Sequence, residues 1–479
     1  MSKFVMLITF DLETAQFGDP GQDVFAGFFV SSWHLWRMER AKIMTRHSLV
    51  FRDAPRLIFH DAEATDDLGF RSPPYQTVSH LWPERGLCIA NDQDLVVTNK
   101  AVDPDYLAYF AEITNQSPSL LVLDADESLT QSLILGAHKI DHWLTSQSRR
   151  EGQRIDLSPM ILTNKTHELG TSLSGQFPDF EWSYPEQKSI DAVQFVNLKS
   201  NISNWLPKSG LKSTPVCAVH ERQDSASCLW EHLKPRLQSQ SLIVKADFSS
   251  SGVGNKIINN SSQEELMSWL EGQTGVDTFV VEELVDFVFS PNVQFYIDHT
   301  GACHFVGWSD QILNDGLQFK GNSWPLPDSH SEPLLDAGWL IARKLSKLGV
   351  RHIVGIDFLC LEDGSIRFVE VNARFNGSTY AQSIVEKLNA DRLHANLDPV
   401  GAWSQLRIFP DKVLSFVDLH KVASDLLFSR RQDAGVIPYL PSLFTCGIAN
   451  VVAVGSTPEQ VKDLEQEFCS RLSSAWVRR

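Results

Sequence analysis

The sequence predicts a multidomain protein of mixed α/β and α+β class. Its 479 residues are too many for one hydrophobic core, since single cores stop growing at about 250–300 residues. In the N-terminal part, short apolar runs alternate with helix-like segments, which is the pattern of a parallel sheet. Further along, apolar runs are joined by short turns, which is the pattern of β-hairpins. We expect an N-terminal α/β domain over 1–190, a central domain over 191–400 and a small C-terminal domain over 401–479.

The composition argues against several classes of protein. The hydrophobic fraction of 43% and the charged fraction of 21% are ordinary for a globular chain. A net charge of −17 argues against a nucleic-acid partner, because binding to phosphate backbones needs a basic surface. No apolar run reaches the roughly 18 residues of a membrane span, and the seven cysteines are scattered without a Cys-x-x-Cys motif. We therefore expect a cytoplasmic protein with neither a nucleic acid nor a membrane as partner.

The N-terminal domain is predicted from strand-like runs. These runs are 4–10, 86–90, 95–98 and, as a buried strand, 120–123. Asp103, followed by Pro104, is typical of the N-cap of a helix. No Gly-x-Gly-x-x-Gly motif follows any of the strands, so the sequence indicates no dinucleotide site in this domain.

In the central domain, a strand that ends in a lysine is followed by a loop of small residues. Residues 242–244 are apolar and precede Lys245, and the loop contains Ser251, Gly252 and Gly254. Glycines let backbone N–H groups approach a phosphate, because no Cβ blocks the way. The lysine is either a strand-edge residue or a phosphate ligand. The loop is either a flexible linker or a lid over a phosphate.

A later strand of the central domain ends in acids. The run 277–283 has strand character and closes on Glu282 and Glu283, which are either solvated or part of a binding site. A helical period over 334–348 then ends at Gly349, a typical C-terminal cap.

Between these two elements, polar and aromatic residues interleave without the periodicity of a core strand. We interpret 307–325, which follows a predicted hairpin over 290–306, as a substrate loop. Asp310 and Gln311 would contact the substrate, and Trp308 would shape the site. Packing of an exposed loop is the alternative.

The hairpin over 356–371 carries the most specific pattern of the chain. Asp357 lies on its first strand, while Glu370 and Asn372 are two residues apart on the second and share a face. Two carboxylates and an amide oxygen suit Mg²⁺, which prefers hard oxygen ligands. Solvated carboxylates are the alternative, but Glu370 stands in an apolar run, where an unpaired charge is costly. Arg374 follows on the same face and could hold a transferred phosphate.

The lysine strand, the small-residue loop and the Glu370-Val-Asn-Ala-Arg374 hairpin together resemble the ATP-grasp superfamily over about 191–400. The resemblance implies an ATP-grasp fold with a preceding α/β domain and a small C-terminal capping domain. It implies ATP as cofactor, with one or two Mg²⁺ ions, or Mn²⁺ in their place, on Asp357, Glu370 and Asn372. The implied nucleotide contacts are Lys199, Lys245, Ser251, Gly252, Gly254, Glu282, Glu283 and Leu284.

Within the superfamily, several short segments resemble peptide ligases of the pheganomycin type. These segments are 96–99, 103–106, 290–294 and 321–325. The resemblance implies that a small-molecule carboxylate and an amine form an amide through an acyl phosphate, with release of ADP and phosphate. Lys245 and Arg374 would be catalytic. The substrate contacts would be Trp308, Asp310, Gln311 and Asn376.

Two other functions stay open at this stage. A kinase would use the same residues to phosphorylate a small-molecule hydroxyl, and a non-catalytic protein would only bind the nucleotide. The chain could also form a homodimer.

Overall fold

The computed structural model describes a large part of the chain and builds it on three sheets. The described residues are 54–61, 78–123, 128–147, 153–205, 211–249, 252, 254–259, 262–315, 317–326, 331–410 and 415–474. The predicted strand 4–10 and Ser251 lie outside them. No helix in the described ranges combines the length and the apolarity that crossing a membrane requires.

The first sheet has five strands, all parallel, in the order β3-β2-β1-β4-β5. Its strands are β1 Arg56–Phe59, β2 Leu95–Thr98, β3 Ser119–Val122, β4 Arg154–Pro159 and β5 Glu181–Ser183. The helices of this region are α1 Gly86–Ile89, α2 Pro104–Thr114, α3 Leu129–Leu135, α4 Asp141–Gln147, α5 Asn164–Gln176 and α6 Gln187–Asn197. The predicted parallel α/β arrangement is therefore confirmed.

Helix α2 begins as the sequence predicts. The Asp103 carboxylate accepts hydrogen bonds from the backbone N–H groups of Asp105, at 2.9 Å, and Tyr106, at 3.2 Å. These bonds satisfy two of the amide groups that a helix leaves unpaired at its start.

Two predictions for this sheet are wrong. The predicted strand 86–90 is instead the helical turn α1, which ends at Ile89. A short apolar run that is buried on all sides has no periodicity that would distinguish a helix from a strand. A Cβ on Gly86 would lie 2.8 Å from Val96 Cγ1, so glycine lets this turn pack against β2. Strand β3 is not buried, since it lies at the edge of the sheet and exposes Val122.

The second sheet has four antiparallel strands in the order β6-β9-β7-β8. Its strands are β6 Val216–Glu221, β7 Leu242–Ala246, β8 Asn255–Ile258 and β9 Thr278–Glu283. Helix α7 Lys199–Trp205 precedes the sheet, and α8 Ala226–Leu237 and α9 Gln263–Gly272 lie within the same stretch of chain. Leu233 of α8 and Leu266 of α9 are fully buried in the core that the helices share with β7 and β9.

The third sheet has eight strands in the order β14-β13-β10-β11-β12-β15-β17-β16, with every neighbouring pair antiparallel. Its strands are β10 Pro291–Ile297, β11 Cys303–Leu313, β12 Phe319–Trp324, β13 Ile353–Cys360, β14 Ile366–Asn372, β15 Ala402–Ile408, β16 Gly435–Tyr439 and β17 Ala449–Gly455. The helices are α10 Ser331–Leu348, α11 Gly377–His394, α12 Phe416–Ala423 and α13 Pro458–Ser474. Strands from both sides of residue 400 share this sheet, and the limits of the three domains stay a prediction.

Residues 307–325 are not a loop, which corrects the interpretation made from the sequence. They lie mostly in β11 and β12, a paired hairpin of the third sheet. The side chains of β11 do alternate between the two faces of the sheet. Val306 and Trp308 face the core, while Ser309 and Gln311 lie on the opposite face. That second face is polar because it borders a cavity.

Helix α11 lies between the helices of the N-terminal region and the third sheet. It is buried along most of its length and packs against α1, α2, β12 and β15. The buried ammonium of Lys387 donates to the backbone carbonyls of Leu87, at 3.1 Å, and Ala90, at 2.5 Å. Burial lowers the pKa of Lys387 to about 7. The two bonds pair its buried nitrogen and fix the end of α1 against α11.

Candidate active site

A large cavity is bordered by residues of the second and third sheets, and it collects most of the residues that the sequence singles out. The predicted site residues that line it are Lys199, Lys245, Gly252, Glu282, Glu283, Leu284, Gln311, Asp357, Glu370, Asn372, Arg374 and Asn376. The segment 285–290, which links the two sheets, contributes Val285, Phe287 and Ser290 to the wall.

The three predicted metal ligands meet at one end of this cavity. Asp357 and Glu370 are directly opposite each other in the ladder between β13 and β14. The side-chain amide of Asn372 donates to Asp357 Oδ2 at 2.9 Å and to Glu370 Oε1 at 3.2 Å. Asn292 on β10 donates to the other oxygen of Asp357 at 2.5 Å. The hairpin therefore converges two carboxylates on one point, which the amide of Asn372 occupies.

The pKa values of the two carboxyl groups shift in opposite directions because their surroundings differ. Burial, together with the neighbouring Glu370, raises the pKa of Asp357 to about 7. Burial would also raise the pKa of Glu370, but Lys199, Lys245 and Arg374 outweigh it and lower that pKa to about 2. Lys199 Nζ lies 3.2 Å from Glu370 Oε2. Glu370 is thus held as an anion by the cations around it.

This donor set fits a divalent cation with oxygen preference. Carboxylate oxygens from two strands and an amide oxygen are ligands that Mg²⁺ accepts, with water and phosphate oxygens completing its shell. Asp357, Glu370 and Asn372 would hold such a cation through their side-chain oxygens. Within the described ranges, no group of three or more His, Cys, Asp or Glu side chains is arranged as a metal site, and this set consists of two carboxylates and one amide.

Lys245 forms a buried ion pair that the sequence does not predict. Its ammonium lies 2.8 Å from Glu282 Oε2, and the Thr214 hydroxyl donates to the same oxygen at 2.8 Å. Burial acts to lower the pKa of Lys245, but Glu282 and Glu370 raise it above its ordinary value. Lys245 is therefore a fixed cation, and the Glu282 carboxylate is turned toward it.

Two more of the implied nucleotide contacts, Glu283 and Leu284, lie where β9 ends and the link to the third sheet begins. The backbone N–H of Glu283 donates to Pro215 O at 2.9 Å, and that of Leu284 donates to Ser241 O at 3.0 Å. Gln240 donates to the Glu283 carboxylate at 3.1 Å. These bonds fix the point where the chain leaves the second sheet for the third.

The small-residue loop depends on its glycines. Gly252 and Gly254 both adopt positive φ, at 71° and 79°, where side chains are disfavoured. A Cβ on Gly252 would lie 2.6 Å from Leu317 O, in the turn between β11 and β12. The loop therefore approaches this turn more closely than any other residue type would allow.

Arg374 is positioned by a residue that the sequence did not single out. Asn197, at the end of α6, accepts hydrogen bonds from Arg374 Nη1 and from the backbone N–H of Ala373, each at 3.1 Å. Asn376 donates to Arg374 O at 2.8 Å and begins α11 as its N-cap. Both contacts hold the chain after β14 against the cavity.

Two predicted substrate residues are not brought into the cavity. Trp308 is only 8% exposed and packs edge-on against Phe305 in the core. Asp310 accepts a hydrogen bond from the Ser290 backbone N–H at 2.8 Å, and burial raises its pKa to about 6. Both side chains alternate with Gln311 along β11, which is why only the glutamine lines the cavity.

The cavity also has residues that the sequence reasoning missed. They come from the N-terminal region, from the polar face of the third sheet and from its C-terminal strands: Trp82, Arg85, Asn292, Asn322, Gln405, Arg407, Tyr439 and Asn450. A signal exists for Asn450, the one polar side chain in the apolar run of β17. Trp82 and Arg85 carry no local signal, because only the tertiary fold brings them here.

Part of this chain is similar in sequence to known ligases. Residues 238–372 match the family model described as L-aspartate–L-methionine ligase, ATP grasp. Over 219 residues, the chain is 26% identical to L-propargylglycine–L-glutamate ligase of Streptantibioticus cattleyicolor, which covers 43% of this chain and 45% of that protein. The chain therefore matches less than half the length of this curated relative.

Solved structures resemble the whole arrangement at low sequence identity. N5-carboxyaminoimidazole synthetase from Staphylococcus aureus, complexed with ADP, has a TM-score of 0.52 and 10% identity, covering 89% of this chain and 99% of that one. The biotin carboxylase domain of Hydrogenobacter thermophilus 2-oxoglutarate carboxylase, in complex with MgADP, ADP and bicarbonate, has a TM-score of 0.50 and 12% identity, covering 86% and 88%. The predicted ATP-grasp fold and the resemblance to that superfamily are confirmed.

Proposed function

We propose that this protein is an ATP-dependent ligase that joins a small-molecule carboxylate to an amine. The observation that carries the proposal is the convergence of Asp357, Glu370 and Asn372 beside three cations in one cavity of an ATP-grasp fold. The names of the matched family model and of the curated relative, both amino-acid ligases, support the same reaction class. Mg²⁺ is the metal that the oxygen ligands favour, and Mn²⁺ would serve in its place.

The proposed reaction has two steps. An oxygen of the substrate carboxylate bonds to the γ-phosphorus of ATP while the bond from that phosphorus to ADP breaks, giving an acyl phosphate. The amine nitrogen then bonds to the acyl carbon, phosphate leaves with the electron pair of the C–O bond, and the nitrogen loses a proton. A divalent cation on Asp357, Glu370 and Asn372 supplies neutralisation of phosphate charge.

The proposed reaction also requires positive charge near the phosphates and protection of the acyl phosphate from water, and residues of the cavity would provide both. Lys199, Lys245 and Arg374 present fixed positive charge to the phosphates and to the transferred phosphoryl group. Because their partners hold them before substrate arrives, little reorganisation is needed during the reaction. Gly252 lies so close to Leu317 O that no Cβ fits between them, and closure of the small-residue loop over the cavity would exclude water from the acyl phosphate.

The test is release of ADP and phosphate from Mg-ATP with pairs of amino acids and small carboxylic acids, followed by mass spectrometry. A ligase gives turnover that depends on the amine, and a product lighter than the summed substrates by one water. A phosphorylated product that forms without an amine and is stable to amines would replace the ligase with a kinase. ATP binding without turnover on any pair would contradict the proposed function.

A further inference from the structure

A row of buried polar side chains connects helix α11 to the predicted metal ligands. Asn292 and Gln294 lie on β10, and Ser378 and Thr379 lie in the first turn of α11. All four residues are at most 3% exposed, so their polar atoms need partners inside the protein. They supply most of these partners to one another, and we call the four residues the donor chain.

The hydrogen bonds of the donor chain all run in one direction. The Thr379 hydroxyl donates to Gln294 Oε1, and Gln294 Nε2 donates to the Ser378 hydroxyl at 3.0 Å. The Ser378 hydroxyl donates to Asn292 Oδ1 at 3.2 Å. Asn292 Nδ2 then donates to Asp357 Oδ1 at 2.5 Å. Each member therefore accepts a bond on one side and donates one on the other, toward Asp357.

The direction of the donor chain is set where it begins. The backbone N–H of Asn376, the N-cap of α11, donates to Thr379 Oγ1 at 3.0 Å. A backbone N–H can only donate, so the Thr379 hydroxyl gives its own proton to Gln294. In an amide, the bond that the oxygen accepts fixes the side on which the NH₂ group lies. Hydrogen bonds in such a series polarise one another, so each bond strengthens the next.

The last bond of the donor chain reaches Asp357 from one side only. Asp357 is paired in the ladder with Asn292 on β10 and with Glu370 on β14. Asn292 binds Oδ1 of this carboxylate, while Asn372 donates to Oδ2. The donor chain therefore fixes one oxygen of Asp357 from the strand opposite β14, and the other oxygen lies on the side of Asn372 and Glu370.

Two members of the donor chain lie behind the wall of the cavity. Asn292 and Ser378 line the cavity, whereas Gln294 and Thr379 are not among the described residues that do. Any effect of Gln294 or Thr379 on a bound ligand must therefore pass through the residues they contact.

We propose that the donor chain positions Asp357 for the divalent cation, and that this effect extends back to Thr379 at its far end. The inference rests on the proposed function, because the cation is the one assigned there to this carboxylate. The donor chain holds the carboxylate in one orientation before the cation arrives, so that binding needs less ordering of this ligand. Gln294, Ser378 and Thr379 are thus positioning residues, and loss of such outer partners weakens metal binding about 10–100-fold.

The experiment measures how much Mg²⁺ raises the affinity for ADP. ADP is titrated by calorimetry into the full chain, once with excess Mg²⁺ and once with EDTA. The dissociation constant in EDTA divided by that in Mg²⁺ is the gain from the metal. Because ADP allows no turnover, this readout depends neither on a substrate nor on the reaction that follows.

Two substitutions of one residue separate the hydroxyl from the rest of the side chain. Thr379→Val keeps the branched shape and removes the hydroxyl. It should lower the gain from Mg²⁺ about tenfold, while the dissociation constant in EDTA stays within about twofold. Thr379→Ser keeps the hydroxyl and should keep the gain.

Thr114→Val is the matched control. Thr114 is 1% exposed, and its hydroxyl donates to Phe110 O at 2.6 Å within α2, outside the cavity. Its replacement also removes a buried helical hydroxyl but should leave the gain unchanged. An equal fall in this control would overturn the inference.

A second variant tests the donor chain nearer to Asp357. Ser378→Ala removes the bond to Asn292 without touching the N-cap bond of α11, and it should lower the gain by about tenfold. It carries the test if Thr379→Val does not fold.

A double variant tests whether the effect of Thr379 passes through Asn292. Asn292→Ala removes the last bond of the donor chain and should by itself lower the gain from Mg²⁺. Adding Thr379→Val to Asn292→Ala should then lower the gain no further, because the chain is already broken. Additive losses would mean that Thr379 acts by another route, which contradicts the inference.

The outcomes separate this inference from the proposed function. An unchanged gain in Thr379→Val or Ser378→Ala, or an equal loss of ADP affinity with and without Mg²⁺, would overturn the inference while the ligase stands. A loss in Thr379→Ser as large as in Thr379→Val would do the same. If Mg²⁺ gave the unaltered protein no gain, the proposed metal ligands and this inference would fail together. A kinase product in the turnover assay would overturn the ligase alone, because a kinase would use the same metal ligands.

Discussion

The two ends of the cavity differ in how their polar groups are satisfied. At the carboxylate end, Lys245 pairs with Glu282 and Lys199 pairs with Glu370, so the protein itself balances each of these charges. On β15 and β17, which border the same cavity, Gln405 Oε1 and Asn450 Nδ2 are buried without partners. The charged groups of the first region are paired within the protein, whereas these two polar atoms of the second region are not. This difference predicts where substitutions affect stability and where they affect only binding.

The largest effect is expected at the carboxylate end. Glu370→Gln removes the anion that faces Lys199 and is proposed to bind the metal, so ADP release should fall by about 10⁴-fold. The measurement is ATP turnover with the best substrate pair, alongside far-UV circular dichroism to check the fold. Glu362→Gln, in the exposed turn of the same hairpin, is the control and should keep full activity. Full turnover by the Glu370 variant would refute the proposed metal ligand.

Breaking the buried ion pair should destabilise the protein. Lys245→Met leaves the Glu282 carboxylate buried without its cation, which should lower the free energy of unfolding by about 3–5 kcal/mol. Adding Glu282→Gln should recover much of that loss, since the uncompensated charge is gone. Urea unfolding of both variants measures the effect. If the double variant were as unstable as the single one, charge pairing would not be the cause.

The small-residue loop allows a test with a matched glycine. Gly252→Ala combines positive φ with a contact of 2.6 Å to Leu317 O, while Gly364 has a φ of 78° and no atom within 4 Å of the point where a Cβ would lie. Gly252→Ala should raise the KM for ATP about tenfold, because the loop can no longer close. Gly364→Ala should cost about 1 kcal/mol of stability and leave KM unchanged. Equal KM values in the two variants would mean that the close contact has no part in binding.

The smallest effect on stability is expected on β15 and β16, at the far side of the third sheet. Replacing Gln405 with Met together with Tyr439 with Phe removes both partners of one hydrogen bond and one unpaired acceptor. Such a paired replacement should change the free energy of unfolding by less than about 1 kcal/mol, while the KM for a substrate bound in this cavity rises. Calorimetric unfolding and steady-state kinetics on the same preparation distinguish the two effects. A large loss of stability would show that this end is as self-contained as the other.

The sequence predicted the local parts of this protein well. The hairpin with Asp357, Glu370 and Asn372 needs only two short strands and a turn, and period-two alternation puts its ligands on one face. The N-cap at Asp103 and the helix that ends at Gly349 are equally local. The errors arose where tertiary surroundings decide the outcome. They decide the secondary structure of the buried segment 86–90, and they decide which face of β11 lines the cavity and which, with Trp308, faces the core.

The sequence by itself determined the ATP-grasp class and the carboxylate end of the cavity, because those features depend on residues close together in the chain. Only the tertiary structure decided the rest. Asn197 reaches Arg374 across 177 positions, and Arg85 and Arg407 come from parts of the chain that no periodicity connects. Which distant side chains meet is fixed by sheet order and helix packing, and a burial pattern along one strand carries no information about the strand that lies beside it.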